Sequence, residues 1–203
     1  WNVMSTEVMA GQLGMATPYH DLVGKSDAEL QAEFADYAAL GVSWIRTDFY
    51  WGMIQPTKIG AYNWAKLDLI VDTAAKYGIE VIGLLCGKPA WTSAGFASAD
   101  DAVAFGAFAA ALAERYKDKV DYWEILNETN INGIPAANYT RMLKAAYSAI
   151  KAVDPTDFVI TGGLSPVPTS TNGMWSAVSY LQEMYAAGAK GYFDAIGFHP
   201  YGW

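Results

Sequence analysis

An amide and a carboxylate stand side by side at Asn127-Glu128, closing the apolar run of residues 120–126. A run of that length and composition reads as a strand buried in a sheet, so the pair sits where the strand emerges. A carboxyl group held half out of water is costly to ionise, and its pKa climbs until it keeps a proton near neutral pH. That is the property of a general acid, which hands its proton to an oxygen leaving a breaking bond. Further chemistry-bearing residues collect at similar places along the chain. Asp48 to Trp51 follow one apolar run, Lys88 to Trp91 another, and His199, Tyr201 and Trp203 close the last. The histidines, His20 and His199, are isolated from each other and from any acidic cluster, a poor spacing for metal ligands. Neither a metal nor an organic cofactor is expected.

The elements that must position these residues alternate regularly. Short apolar runs at residues 11–16, 42–47, 80–86, 120–126, 158–163 and 195–199 are rich in β-branched and aromatic side chains, as buried parallel strands are. Between them lie Ala-rich amphipathic segments. Ser26-Asp-Ala-Glu29 forms a capping box ahead of a helix over 30–40, and Gly41 ends it. Further helices are predicted over 63–77, 98–116, 136–153 and 174–187. Six strands and five helices in strict β-α order make a parallel sheet, and no linker or charge block divides residues 1–203, which read as one domain. The sheet is either an open doubly wound one or a closed (β/α)8 barrel. No glycine-rich phosphate turn follows the first strand, which speaks against a nucleotide fold. Candidate residues at the C-terminal ends of several strands match the active face of a barrel.

Composition narrows the partners. The chain of 203 residues is 53% hydrophobic and 14% aromatic, enough for a real core. Its net charge of −8 argues against nucleic acid and anionic membranes as partners. No run is long enough to insert in a membrane. Eight Trp and thirteen Tyr supply flat apolar faces suited to neutral sugars, although most such rings belong to a core. Cys86 is the lone cysteine, permits no internal disulfide and reads as a buried strand residue. The chain starts at Trp1, without an initiator Met, and is expected to be part of a longer polypeptide.

Trp123-Glu-Ile-Leu-Asn-Glu128 resembles the strand-four pattern of the retaining glycoside hydrolases of clan A, (β/α)8 enzymes most like this chain in families thirty-nine and five. The resemblance runs in strand order over essentially the whole chain. It implies that Glu128 is the acid/base of a retaining hydrolysis of O-glycosidic bonds and that Asn127 bonds the substrate 2-hydroxyl. Trp44-Ile-Arg46 resembles the strand-two segment whose Arg lies beneath the nucleophile, and Phe198-His-Pro-Tyr201 the strand-six segment whose His and Tyr line the sugar site. Trp51 and Trp91, with Trp203, are candidates for the walls of the sugar cleft. Each of these residues has a plainer alternative: a barrel-interior ion pair for Arg46, a hydrogen-bonded core histidine for His199, packing for the tryptophans. Glu124, four residues before Glu128, is expected deeper in the barrel and paired with a base.

Clan-A enzymes carry their nucleophile on strand seven, whereas no Asp or Glu follows Asp194 in this chain. The 203 residues are therefore expected to form a (β/α)8 TIM barrel truncated after strand six, about two β-α units short of eight. Further segments of a larger polypeptide or assembly would supply the rest, the nucleophile Glu included. The resemblance implies an oligosaccharide or polysaccharide substrate and, by itself alone, a secreted or extracellular site of action. A non-catalytic carbohydrate-binding domain on the same scaffold is the alternative, and a doubly wound domain with Asn127-Glu128 as a mere strand-end cap is a third.

Overall fold

A computed structural model describes residues 13–171 and 173–201. Five strands, β1 (Leu13–Ala16), β2 (Val42–Tyr50), β3 (Glu80–Cys86), β4 (Tyr122–Ile125) and β5 (Phe158–Thr161), pair in parallel in the order β1-β2-β3-β4-β5. A doubly wound sheet reverses its strand order at a switch point. This one never reverses, and each new strand is laid beside the last, as in a barrel. The sheet has the fold of the N-terminal part of a (β/α)8 barrel. Residues 195–199 continue it beyond β5, but only through two isolated parallel bridges, Ile160 with Ala195 and Leu164 with Phe198. The ladder is thinned there because Gly197 N–H bonds the Thr161 side chain at 3.0 Å in place of a backbone carbonyl. Gln12 and Gly11 of the expected first strand lie outside the described residues.

The main helices lie on one side of this sheet: α2 (Asp27–Ala39), α4 (Ala65–Lys76), α5 (Ala99–Arg115), α6 (Ala136–Val153) and α7 (Ala177–Ala186), with short helices α1 (Tyr19–Val23) and α3 (Trp51–Ile54). The Ser26 capping box holds the start of α2, with Glu29 N–H donating to Ser26 Oγ and Ser26 N–H to Glu29. Helix α7 begins at Ala177 and not at Met174. Met174 instead closes a small antiparallel bridge with Thr171, and Ser176 caps the helix by accepting from Ser179 N–H at 3.1 Å. Outward side chains of the strands meet inward faces of the helices in one apolar layer. Trp51 is packed there against Phe96, Phe105 and Phe108, and Phe49 meets Trp123 edge-on at 5.8 Å.

One helix reaches into the sheet itself. Tyr139 of α6 is fully buried, and its hydroxyl donates to the Ile125 carbonyl at 3.0 Å while accepting from Gly162 N–H at 2.8 Å. It bridges the ends of β4 and β5 where their own ladder stops, and burial pushes its phenol pKa far up, so it keeps its proton. Tyr139→Phe removes one oxygen and strands two buried backbone groups. The variant should lose about 1–3 kcal/mol of stability, read as a lower midpoint in urea unfolding of the protein.

Candidate active site

Alternation along β2 turns Ile45, Thr47 and Phe49 towards the helices and leaves Arg46, Asp48 and Tyr50 on the inner face. The inner face of β3 contributes Leu84 and Cys86, and that of β4 Tyr122 and Glu124. Trp44 and Tyr122 meet edge-on at 4.8 Å and Tyr122 meets Phe158 at 5.8 Å, a floor of aromatic rings from β2, β4 and β5. Above this floor lies an ion pair. Strand register aligns Arg46 with Ile82 and Ile82 with Tyr122. The tilt of the strands nevertheless brings Arg46 against Glu124, two residues further on.

Arg46 donates from Nε to Glu124 Oε2 at 2.5 Å and from Nη2 to Oε1 at 2.9 Å. The carboxylate is only 5% exposed and also accepts from Gly163 N–H at 2.9 Å. Burial works against the charge on Arg46, but the hydrogen bonds and charge of Glu124, with Asp48 behind them, raise its pKa above the ordinary value. Arg46 Nη2 further donates to Asn127 Oδ1 at 2.8 Å. The amide oxygen is thereby occupied, and the two amide hydrogens of Asn127 face no protein acceptor among the described residues.

The backbone after β4 is bent sharply. Leu126 and Glu128 both have left-handed backbones, with φ of 59° and 45°, conformations that cost a non-glycine residue roughly 1–3 kcal/mol each. Hydrogen bonds hold the bend. Leu126 N–H donates to Leu85, Glu128 N–H to the Gly163 carbonyl at 3.0 Å, and the Glu128 carbonyl accepts from Ile131 and Asn132. The bend delivers Glu128 Oε1 to 2.9 Å from Nδ1 of His199, with both side chains partly exposed. His199 lies across Gly163 so closely that a Cβ at that glycine would stand 2.2 Å from its Nε2. Asn130, fully buried, ties down the following loops by donating to the Ser165 and Trp175 carbonyls and accepting from Ser165 N–H.

A cavity of about 610 Å³ opens beside this network, reached by Arg46, Asp48, Tyr50, Cys86, Lys88 and Asn127 among others. The structure thus brings Arg46, Asn127, Glu128 and His199 together, and sets Tyr201, 63% exposed, with its ring 5.5 Å from that of His199. Trp51 requires a correction: it is fully buried, and its indole N–H donates to Gln55 at 2.7 Å, so no face is left for a sugar. Strand β2 runs to Tyr50, three residues past the expected end, and the turn into α3 carries Trp51 into the helix layer. Trp91 packs edge-on against Trp51 at 5.2 Å, donates to the Gln55 carbonyl and does not line the cavity. Trp203 lies outside the described residues. The inward residue missed in the sequence is Tyr50, on the same face as Arg46 and Asp48 at a spacing of two. Cys86 also looks into the cavity, where burial and then the Asp48 carboxylate push its thiol pKa well up. Among the described residues, no three His, Cys, Asp or Glu side chains gather as metal ligands do, and no helix is long and apolar enough to cross a membrane.

Comparison with known proteins places this geometry. The model of the cellulase family, glycosyl hydrolase family 5, matches residues 5–194. No curated protein sequence matches the chain. Among solved structures, a family 39 glycoside hydrolase from Bacteroides cellulosilyticus WH2 superposes with a TM-score of 0.70 at 21% identity, over 92% of this chain and 38% of its own. The exo-β-1,4-mannosidase of Opitutaceae bacterium strain TAV5 gives 0.67 at 16% identity, over 81% and 34%. An endoglucanase of Pseudomonas stutzeri in complex with cellobiose gives 0.54 at 24% identity, over 66% and 42%. The chain spans less than half the length of each of the three.

Removing one partner of a buried ion pair leaves the other charge uncompensated, at a cost of about 3–5 kcal/mol. Arg46→Met should fall at the lower end, about 3 kcal/mol, because the arginine retains some solvent contact. Glu124→Gln should lose less, since its amide oxygen still accepts from Arg46. Urea titrations of the two variants check this order, and a larger loss for Glu124→Gln would contradict it.

Proposed function

The chain belongs to the cellulase family, glycosyl hydrolase family 5, and on that footing we propose that its strand-four end carries the acid/base half of a retaining glycosidase site for β-linked sugars. The observation behind this is the Glu128 carboxyl, thrust into the barrel mouth by a strained bend and met at 2.9 Å by His199 Nδ1. That contact suits both protonation states the reaction needs. A protonated Glu128 donates to bare Nδ1, and an ionised one accepts from Nδ1–H, so the same geometry serves acid and base steps.

In the first step Glu128 protonates the departing glycosidic oxygen while a second carboxylate attacks the anomeric carbon from the opposite face. Retaining enzymes place those two groups roughly 5–5.5 Å apart. We assign the nucleophile to a carboxylate outside these 203 residues. In the second step the ionised Glu128 takes a proton from the water that releases the sugar. Asn127, its oxygen committed to Arg46, has amide hydrogens for the substrate 2-hydroxyl, a bond that strengthens as oxocarbenium character develops. His199 and Tyr201 flank the sugar. The endoglucanase bound to cellobiose and the exo-β-1,4-mannosidase among the similar structures make β-1,4-linked glucosides and mannosides the first substrates to offer.

The test uses the full-length protein and its Glu128→Gln variant with two aryl glycosides, one with a dinitrophenyl and one with a plain phenyl leaving group. Loss of a general acid should cost about 10²–10⁴-fold in kcat/KM with the phenyl glycoside and far less with the dinitrophenyl one, which leaves unaided. Equal turnover by variant and parent would remove Glu128 from the role. Tight binding of oligosaccharide with no turnover by the parent would instead establish a carbohydrate-binding domain on the same scaffold.

A further inference from the structure

We propose that Asn130 is a positioning residue for the proton transfer: by pairing with the backbone of Ser165 it sets where His199 stands against Glu128. This rests on the acid/base reading of Glu128 given above. Asn130 follows Glu128 by two residues, is fully buried and does not line the cleft, so it acts only through its neighbours. A primary amide carries two donors and an acceptor on one flat group, and Asn130 spends all of them on backbone. Its Oδ1 accepts from Ser165 N–H at 2.9 Å, while Nδ2 donates to the Ser165 carbonyl at 3.0 Å and to the Trp175 carbonyl at 2.9 Å. The two bonds with Ser165 are the exchange a neighbouring strand would make. They fall where the ladder has ended, since the pairing of β4 with β5 stops at Ile125 and Thr161. Trp175 N–H also donates to the Asn130 carbonyl at 2.8 Å, so one residue closes the neck of the 165–175 loop.

Ser165 adjoins the support of His199. The Leu164 carbonyl accepts from His199 N–H at 3.0 Å, and Leu164 N–H donates to the Gly197 carbonyl at 3.1 Å. Residues 195–199 have only two isolated bridges of their own, so Leu164 governs where the imidazole lies. On the other side, the Glu128 carbonyl accepts from Ile131 and Asn132 N–H, which closes the turn that carries Asn130. The turn that begins at the acid and the segment that holds its partner are thus joined by this amide as well as by the Gly163 peptide. Without the amide three backbone groups lose their partners, and residues 163–165 shift to find others. Arg46 still holds Asn127 from β2, so the loss falls on the acid and spares the contact to the sugar.

The experiment measures kcat/KM of the full-length protein for the phenyl and dinitrophenyl glycosides, in the parent and in Glu128→Gln, Asn130→Ala and Asn130→Asp. Misplacing a catalytic group by about 1 Å costs on the order of 10²-fold. Asn130→Ala should therefore lose about 10–100-fold more with the phenyl glycoside than with the dinitrophenyl one, whose departure needs no acid. Asn130→Asp keeps the size and the bond from Ser165 N–H but sets a carboxylate against two carbonyls. It should show the same skew, and it decides the matter if Asn130→Ala does not fold. A merely structural residue, or a partly unfolded variant, would lower both substrates alike. Where Glu128→Gln shows the skew, equal losses or no loss in the Asn130 variants overturn the positioning role and leave the acid/base reading intact. Where Glu128→Gln shows none, the acid/base reading itself fails and the proposal falls with it.

Discussion

The ion pair between Arg46 and Glu124 is the interaction on which the barrel mouth depends. It joins β2 to β4, and through Gly163 N–H it reaches the segment after β5. The same guanidinium fixes the Asn127 amide, and the same Gly163 peptide holds the Glu128 backbone with its carbonyl. Amide and carboxylate are therefore oriented by one buried charge and its counter-ion. Such a pair contributes little net stability against an apolar replacement, because both ions had to leave water. Its value lies in direction: a bidentate guanidinium accepts one arrangement of carboxylate and amide and rejects others.

Strain and close contact complete what the ion pair begins. The two left-handed residues that flank Asn127, Leu126 and Glu128, would relax towards an ordinary strand exit if nothing opposed them. Gly163 opposes them from the segment after β5 by accepting from Glu128 N–H and by leaving room for the His199 ring. Gly162 likewise lies so near the Leu126 carbonyl that a Cβ there would stand 2.4 Å from it. Tyr139 satisfies the backbone groups this crossing strands. The site is a set of compromises, each made tolerable by a residue from another part of the chain.

Much of this was legible in the chain. Strand β3 and helix α6 have the predicted bounds, because turn residues and Asp154-Pro155 punctuate them unambiguously. The placing of Glu128 at a strand exit was legible too, since its motif joins an apolar run to polar residues. The length of β2 was not. In a parallel sheet covered by helices both faces of a strand tolerate aromatic residues, so Phe49-Tyr50-Trp51 shows no contrast by which to choose the inward one. The parity set by Arg46 and Asp48 settles it, and it favours Tyr50 over Trp51. Residues 195–199 look like any other apolar strand, yet Gly197 and the Thr161 side chain reduce their pairing to two bridges. That outcome depends on close approach between backbones, which hydropathy does not encode.

Glu128 and His199 are 71 residues apart in the chain. Domains generally fold from the N-terminus during synthesis, at about 5–20 residues per second, so roughly 4–14 s separate the emergence of the two. At the start of that interval Arg46 and Glu124 can already pair, while Glu128 still awaits first the Gly163 carbonyl and then the imidazole of His199. The nascent polypeptide thus has both partners of its buried ion pair before Glu128 has its final surroundings, which are completed by the segment most loosely laddered into the sheet.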